Sequence, residues 1–413
     1  MEYIHHSSIP AAKSELELFN IPPTQTAIES SYEVQYRPTA TLDSTRHYDF
    51  IIPPSDDFTD LSASMVYIRA KVLNSDMSDL AENSDVTPVN NFGNALFEQV
   101  CFYLAGVNIN TSNSLHNFQS FFEDSLFGQP NPIDQGGLIA SKSERKAKIS
   151  NSKTFDLYFR LHNCLCQQNN LLISGVPINL RFSRAKDDFA LIGNQNCVIK
   201  ISEMYIVIKR VRVFPDVAAG ILSALDKSPV KYFISRSVSK NFSISNGLSS
   251  FTTDNIFTGL LPKRMVIGFI TNSAFSGAKD EDPFEFKDFT LNYLACYIDG
   301  NQVPSVAYTL DFENDLFMRE FVSVFRYINQ DEGIPQCDFK FKDYKNCVLF
   351  AFDLSPDGCV GAEAGTLSLV RRGNIRAEVR FKKTLEKAIT MVVFAQFDNL
   401  IQIDKYRNVS LDY

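Results

Sequence analysis

The chain has 413 residues, 45% hydrophobic and 21% charged, with 35 Phe and 16 Tyr but no Trp. That balance excludes a disordered or fibrous chain and supplies a full core for two or three domains. A formal net charge of -8 argues against extensive direct binding of nucleic acid, because phosphate neutralisation drives that affinity.

Residues 1–45 carry Pro10, Pro22, Pro23 and Pro38 with little periodicity, and read as an extended N-terminal arm. No apolar run there resembles a signal peptide. The most apolar stretch elsewhere, 388–397, is far shorter than the ~20 residues of a membrane helix. The chain is therefore expected to be soluble and not secreted by the usual route. From residue 46 onward, strand-like runs dominate. The segment 65–73 alternates over its second half, and 100–104 is a compact apolar run. The segments 155–161 and 178–182 alternate strictly, as half-buried strands do, and 198–213 is long enough to bend. Two short helices are predicted. The first, 114–127, places Leu115, Phe118, Phe122 and Leu126 at helical spacing. The second, 314–327, does the same with Leu316, Phe317, Phe321, Val324 and Phe325. A third helical segment follows Pro215, a residue suited to a first turn.

The two halves echo each other. Each runs strand, glycine-containing hairpin (Gly106 or Gly300), short aromatic helix and further strands, with counterparts roughly 190–200 positions apart, far beyond a solenoid period of ~20–50. The expected organisation is an arm at 1–45, one β-sandwich at 46–214, a helical linker at 215–228 and a second sandwich at 229–413.

Four stretches carry a family resemblance. They are Asn90-Asn91-Phe92 with 96–100, around Phe97; 259–269, containing Pro262, Lys263, Arg264, Gly268 and Phe269; 282–300, ending in Asp299-Gly300 with Pro304 beyond; and 373–381 with the tail 397–401, containing Asp398 and Asn399. In this order they resemble the double jelly-roll major capsid proteins of the Maverick/Polinton and adintovirus- and virophage-like group. Ala105-Gly106 stands where that family would have Asn-Gly, and the arm matches nothing in it. The resemblance implies an all-β fold of two tandem eight-stranded jelly rolls with a few short helices. It also implies a structural subunit that forms homotrimers of pseudo-hexagonal outline and tiles an icosahedral shell. A minor or penton capsid protein would be its partner, the virion capsid its location, and a host cell its place of assembly. The thirteen motif residues carry structural roles in that family; no catalytic, metal or cofactor residue is implied. The loop regions 128–153, 183–197, 271–288 and 328–345 would then form trimer contacts and outer surface.

Other constellations have simpler readings. His162-Asn-Cys164-Leu-Cys166 is a sharper candidate for zinc but lacks a fourth ligand, and a strand end with two packed cysteines explains it. The eight cysteines are irregularly spaced and read as buried free thiols. Asp311, Glu313 and Asp315 precede the second predicted helix and suit its positive end better than a calcium loop. Asp280, Glu281 and Asp282 read as a solvated loop. Lys142, Arg145, Lys146 and Lys148, like Arg371, Arg372, Lys382 and Lys383, read as exposed hairpins, with contact to genome or membrane as the sharper alternative. Val360 to Gly365 lacks the Lys-Ser/Thr of a phosphate loop. Two rivals stand beside the capsid reading: a two-domain β-sandwich binding or attachment protein, and an enzyme on a jelly-roll scaffold, for which suitable histidines are few.

Overall fold

The computed structural model describes the chain apart from residues 1–6, 9–13, 17, 20, 43–45, 111–112, 128–135, 139, 329–343, 357–368 and 413. The first sandwich is built from β1 (Ile28–Tyr36), β2 (His47–Ile52), β3 (Phe58–Asn74), β4 (Phe97–Leu104), β5 (Val107–Asn108), β6 (Phe155–Arg160), β7 (Ile178–Arg184) and β8 (Cys197–Val213). The second is built from β9 (Val230–Ile244), β10 (Ser250–Leu260), β11 (Arg264–Thr271), β12 (Leu291–Ile298), β13 (Asn301–Thr309), β14 (Leu349–Asp353), β15 (Arg372–Phe381) and β16 (Ile389–Ile403), with β17 (Val409–Leu411) added beside β16.

Strand order is β1-β8-β3-β6 and β2-β7-β4-β5 in the first unit, then β9-β16-β11-β14 and β10-β15-β12-β13 in the second. Every label in the second unit is its counterpart plus eight, so one topology is used twice. All these pairings are antiparallel. Within each set of eight strands only the β4–β5 or β12–β13 hairpin joins neighbours of one sheet; every other connection crosses to the facing sheet, and β17 then folds back on β16. This is the jelly-roll arrangement expected from the sequence, two eight-stranded units in tandem.

Local chemistry explains the strands. β6 alternates strictly between buried and exposed positions, so Phe155, Leu157 and Phe159 enter the core. The 17-residue β8 is interrupted by register shifts at Ile201/Glu203 and Val207/Lys209, which supply its bend. Ala105 (φ 47°) and Gly106 (φ 83°) are both left-handed, as are Asp299 (φ 49°) and Gly300 (φ 87°). Both hairpins thus use the same pair of positive-φ residues, the hallmark of a type I′ turn. Alanine in place of asparagine changed the residue and left the turn intact.

Four helices matter: α1 (His116–Phe122), α2 (Lys142–Ile149), α3 (Pro215–Leu225) and α4 (Met318–Ile328). α1 continues into a wider-wound segment, Glu123–Phe127. α3 joins the two sandwiches and begins at Pro215, as expected.

The structure departs from the sequence reading in several places. The stretch expected to be arm contains β1, which pairs with β8 along its length. β1 is an edge strand, mostly exposed, and the alternation Tyr32-Glu33-Val34-Gln35-Tyr36 that marks it is short and flanked by prolines. The helix expected at 314–327 starts at Met318; Leu316 lies before it and is 64% exposed. Asp311 instead forms a tight turn, its carboxylate accepting from the Glu313 and Asn314 amides. Region 128–153 contains α2, whose Ser141 and Glu144 form a reciprocal capping box. Regions 183–197 and 271–288 carry short helical turns at Asp187–Ala190 and Asn272–Phe275. Cys164 and Cys166 are buried as expected, but in a 3-10 turn and not at a strand end. Cys337, Cys359, segment 360–365 and nearly all of 328–345 lie outside the described residues.

Because β1 belongs to the sandwich, two truncations should separate. Removing residues 1–26 is expected to leave the melting temperature unchanged. Removing 1–40 strips β1 from β8 and should lower it by at least about 4 °C, the shift that 1–2 kcal/mol gives domains of this size. Thermal unfolding followed by circular dichroism would measure both.

Candidate functional site

The seam between the sandwiches is the most densely built region outside the two cores. α1 supplies it. Six of its seven residues are buried, because one side packs on β4 of its own sandwich and the other reaches the second sandwich. Phe121 stacks on Phe284 at 4.6 Å, and Phe118 stacks on Phe275 at 5.3 Å. Phe122 meets Phe286 at 5.3 Å and Phe394 at 5.5 Å. Segment 271–288, expected as an outer loop, is therefore the second sandwich's half of an internal seam.

Gly268 explains how Phe286 reaches this position. A Cβ at Gly268 would collide with the Phe286 ring and with Leu349. The glycine leaves the face of β11 open, and an aromatic ring lies there. Hydrogen bonds extend the seam: the Tyr232 hydroxyl donates to the Leu171 carbonyl at 3.1 Å and accepts from the Ile173 amide at 2.9 Å. Arg407 donates to the Ser174 carbonyl at 2.7 Å.

A buried charge cluster sits on the flank of α1. His162 Nδ1 lies 2.7 Å from Glu123 Oε2, and Nε2 lies 3.1 Å from Asp124 Oδ2. Both ring nitrogens face carboxylates, so both carry protons and the ring is a cation. Glu123 also accepts from Gln119 at 3.1 Å and Gln167 at 2.8 Å. Asp124 accepts from Asn91 at 2.9 Å. Burial opposes the His162 charge, but Asp124 and then Glu123 outweigh it and raise its pKa to about 10. Its neighbour His116 is driven the other way, to about 3, by burial and then by the positive His162.

The thirteen motif residues fall into separate groups. Asn91 is left-handed (φ 51°) and ties the turn before β4 to Asp124; Phe92 and Phe97 are wholly buried behind it. Pro262, Lys263, Arg264, Asp398 and Asn399 converge. The buried Lys263 ammonium lies 2.7 Å from the Asp398 carboxylate, Arg264 donates to Gln396, and Asn399 accepts from Arg236 at 2.9 Å. Gly268 belongs to the seam. Phe269 fills the second core against Phe350 and Phe381. Asp299 and Gly300 form the turn, where the Asp299 carboxylate accepts from the Asn374 amide at 2.9 Å. Pro304 sits on β13, after a cis peptide bond. Asp299, Gly300 and Pro304 stand apart from the other motifs.

Two charged groups differ from their expected surroundings. Arg145, read as exposed, is buried; its Nε and Nη1 have no hydrogen-bond partner among the described residues. Asp282, read as solvated, is held above the usual carboxylate range by burial, with Arg145 among the groups pulling it back. Lys382 and Lys383 both bind Glu313, at 2.5 and 3.3 Å, across a shallow cleft of about 220 Å³. Within that cleft Lys382 also faces Asp311 at 3.9 Å. Among the described residues, no group of three or more His, Cys, Asp and Glu side chains is arranged to hold a metal ion. Among them too, no helix is long and apolar enough to cross a membrane. The His162 cluster was missed from sequence. Its signal was Glu123-Asp124 inside an apolar aromatic run, where charges need a buried partner.

No protein-family model matches the chain. An uncharacterized protein of Caenorhabditis elegans is 22% identical over 354 residues, 79% of this chain and 81% of that protein. Among solved structures, the chain is similar to one from the Sputnik virophage, with a TM-score of 0.64, 11% identity, and coverage of 100% of this chain and 94% of that one. It is similar to the PBCV-1 virus capsid, with a TM-score of 0.63, 10% identity, and coverage of 96% and 99%. The mavirus major capsid protein gives 0.56, 10% identity, and coverage of 100% and 97%. The fold is a double jelly roll. Likeness in shape over whole chains, at such low identity, is a statement about architecture.

The two histidines oppose each other in pH. His162 titrates in the folded state near 10 against an ordinary 6.5, so its contribution to stability is complete below about 6.5 and is lost as pH rises through 10. His116 titrates near 3, so its contribution is present above 6.5 and is lost as pH falls toward 3. His116→Asn is expected to flatten the acid limb of the stability profile, and His162→Gln the alkaline limb. His162→Ala strands the buried Glu123 carboxylate and the partly buried Asp124 beside it and should cost about 3–5 kcal/mol. Urea unfolding between pH 4 and 10 would read all three.

Proposed function

We propose that the chain is a major capsid protein, a structural subunit that trimerises into pseudo-hexagonal capsomers tiling an icosahedral shell. The observation that carries this reading is the likeness of the whole chain, both jelly rolls included, to chains from a virophage, a virus capsid and a major capsid protein. Six similar sandwiches from three chains suit a hexagonal tile. The sandwiches fill their own interiors with side chains, which suits a building block better than a container for a small molecule.

Finer parts of the reading rest on sequence. The four motif stretches support a place within the Maverick/Polinton and virophage-like group. Their residues act structurally: Lys263 with Asp398, Asn91 with Asp124, and Gly268 beneath Phe286 brace turns and the seam. We take residues 229–413 as the second unit, 215–228 as the linker and 1–27 as the arm. The first unit then begins with β1, earlier than residue 46. A minor or penton capsid protein completes the shell at positions a three-fold tile cannot fill. The acidic balance of the chain argues against extensive contact with nucleic acid. The product belongs in the virion capsid after assembly inside a host cell.

Light scattering on the purified protein, with negative-stain imaging of the same peak, tests the reading. Three chains of 46.6 kDa should give about 140 kDa and hexagonal outlines. A monomer without such outlines would overturn it and favour a two-domain binding protein.

A further inference from the structure

The internal duplication leaves two surfaces without counterparts. In the first sandwich, the helix after β5 is α1, and its outer side is covered by the second sandwich's sheet β9-β16-β11-β14 and the aromatic residues before β12. In the second sandwich, the helix after β13 is α4. Its inner side, with Val324 and Ser323 buried, packs on β14. Among the described residues, none covers its outer side. Met318 and Val322, one turn apart, are 54% and 50% exposed, and Val306 on the adjacent β13 is 63% exposed. Arg319 ties the two elements together by donating to the Ala307 and Val306 carbonyls at 3.0 and 2.7 Å. The stripe is therefore held in one shape.

The complementary surface lies on the first sandwich. Sheet β1-β8-β3-β6 is the counterpart of the sheet that α1 covers, and its outer face is open. Three tyrosines cross it in a row on neighbouring strands. Tyr67 on β3 is paired with Tyr205 on β8 and with Tyr158 on β6. Tyr67 and Tyr205 stack at 4.5 Å, and Tyr158 is 40% exposed. Phe394 and Val266 are paired on the corresponding strands of the second sandwich, and there Phe394 is buried against α1.

We infer that the Met318, Val322 and Val306 stripe docks on the Tyr67, Tyr158 and Tyr205 face of a second copy of this chain. This contact repeats between chains the seam that already joins the two sandwiches within one. The inference rests on the capsid reading for its closure. A helix-to-sheet contact is heterologous, and it ends without an open surface only when a rotation closes the ring. Two sandwiches per chain and alternating internal and external seams give a ring of six in three chains.

The test uses full-length protein with one substitution on each side of the contact. Val322→Asp and Tyr158→Asp each place a charge in an exposed position, so both should fold with unaltered melting. Leu222→Asp, on the exposed side of α3, is the control. Light scattering is expected to give a three-fold lower mass for Val322→Asp and for Tyr158→Asp, and the wild-type mass for Leu222→Asp. Val322→Ser, which removes apolar area without adding charge, should weaken the trimer and make its mass concentration-dependent. Trimers that persist in both Asp variants would overturn this interface and leave the capsid reading standing. A wild-type protein that is itself monomeric, without hexagonal outlines, would overturn both.

Discussion

The rest of the molecule is arranged around a helix that two sandwiches share. α1 is only seven residues long, too short to hold itself in water, yet six of its residues are buried. Burying an aromatic side chain contributes about 1.5–3 kcal/mol, and each well-formed aromatic pair adds about 0.5–1.5 kcal/mol. Phe118, Phe121 and Phe122 therefore outweigh any ion pair at the seam. The His162 cluster has a different effect. Desolvating its charges consumes most of what their attraction returns, so its net contribution is small while its geometry is demanding. Glu123 and Asp124 can both be satisfied only when His162, Gln167 and Asn91 stand where they do. The aromatics hold the sandwiches together, and the ions, all within the first sandwich, fix where α1 sits on it.

The same topology, used twice, meets two different surroundings. α1 and α4 follow corresponding hairpins, but α1 is enclosed on both sides and α4 on one. Among the described side chains of α4, only Glu320, Ser323 and Val324 are buried. The chain therefore carries one completed seam and the two halves of another. Small differences in sequence follow the difference in surroundings. Ser237 and Ser239 lie on the covered sheet, where bulky side chains would keep α1 away. The corresponding open sheet carries tyrosines.

Most of the fold was legible because its signals are local. The strict alternation of Phe155 to Arg160 can bury one face only as a strand, and the apolar spacing in 114–127 can do so only as a helix. The tight turn at Ala105-Gly106 survived a departure from the expected Asn, since the glycine and the flanking strands suffice. β1 carries a short alternation, Tyr32-Glu33-Val34-Gln35-Tyr36, but the prolines on either side mask it; its pairing with β8 is made by the backbone. α2 had a readable signal in Ser141 and Glu144, masked by the absence of an apolar stripe. The charged contacts were beyond sequence reasoning. Lys263 and Asp398 are 135 positions apart, and His162 is 39 from Glu123; nothing local links either pair. Motif matching found Lys263 and Asp398 separately, and only the fold made them one feature.

The choice of residues on the two open surfaces follows from what such surfaces must do. A face that meets water before assembly and a partner afterwards cannot be built like a core, because a large exposed apolar patch invites unspecific association. Tyrosine answers both demands: its ring buries area much as Phe does, and its hydroxyl keeps a hydrogen bond to water until the partner arrives. The Tyr67–Tyr205 stack is also fixed before any contact, so little side-chain freedom is left to lose. On the opposite surface Met318 is flexible and can follow the relief it meets, while Val322 and Val306 are stiff. A rigid aromatic face opposite a small, partly adaptable stripe provides fit without a broad sticky area. The covered seam, which never separates, uses Phe for its ring-to-ring contacts.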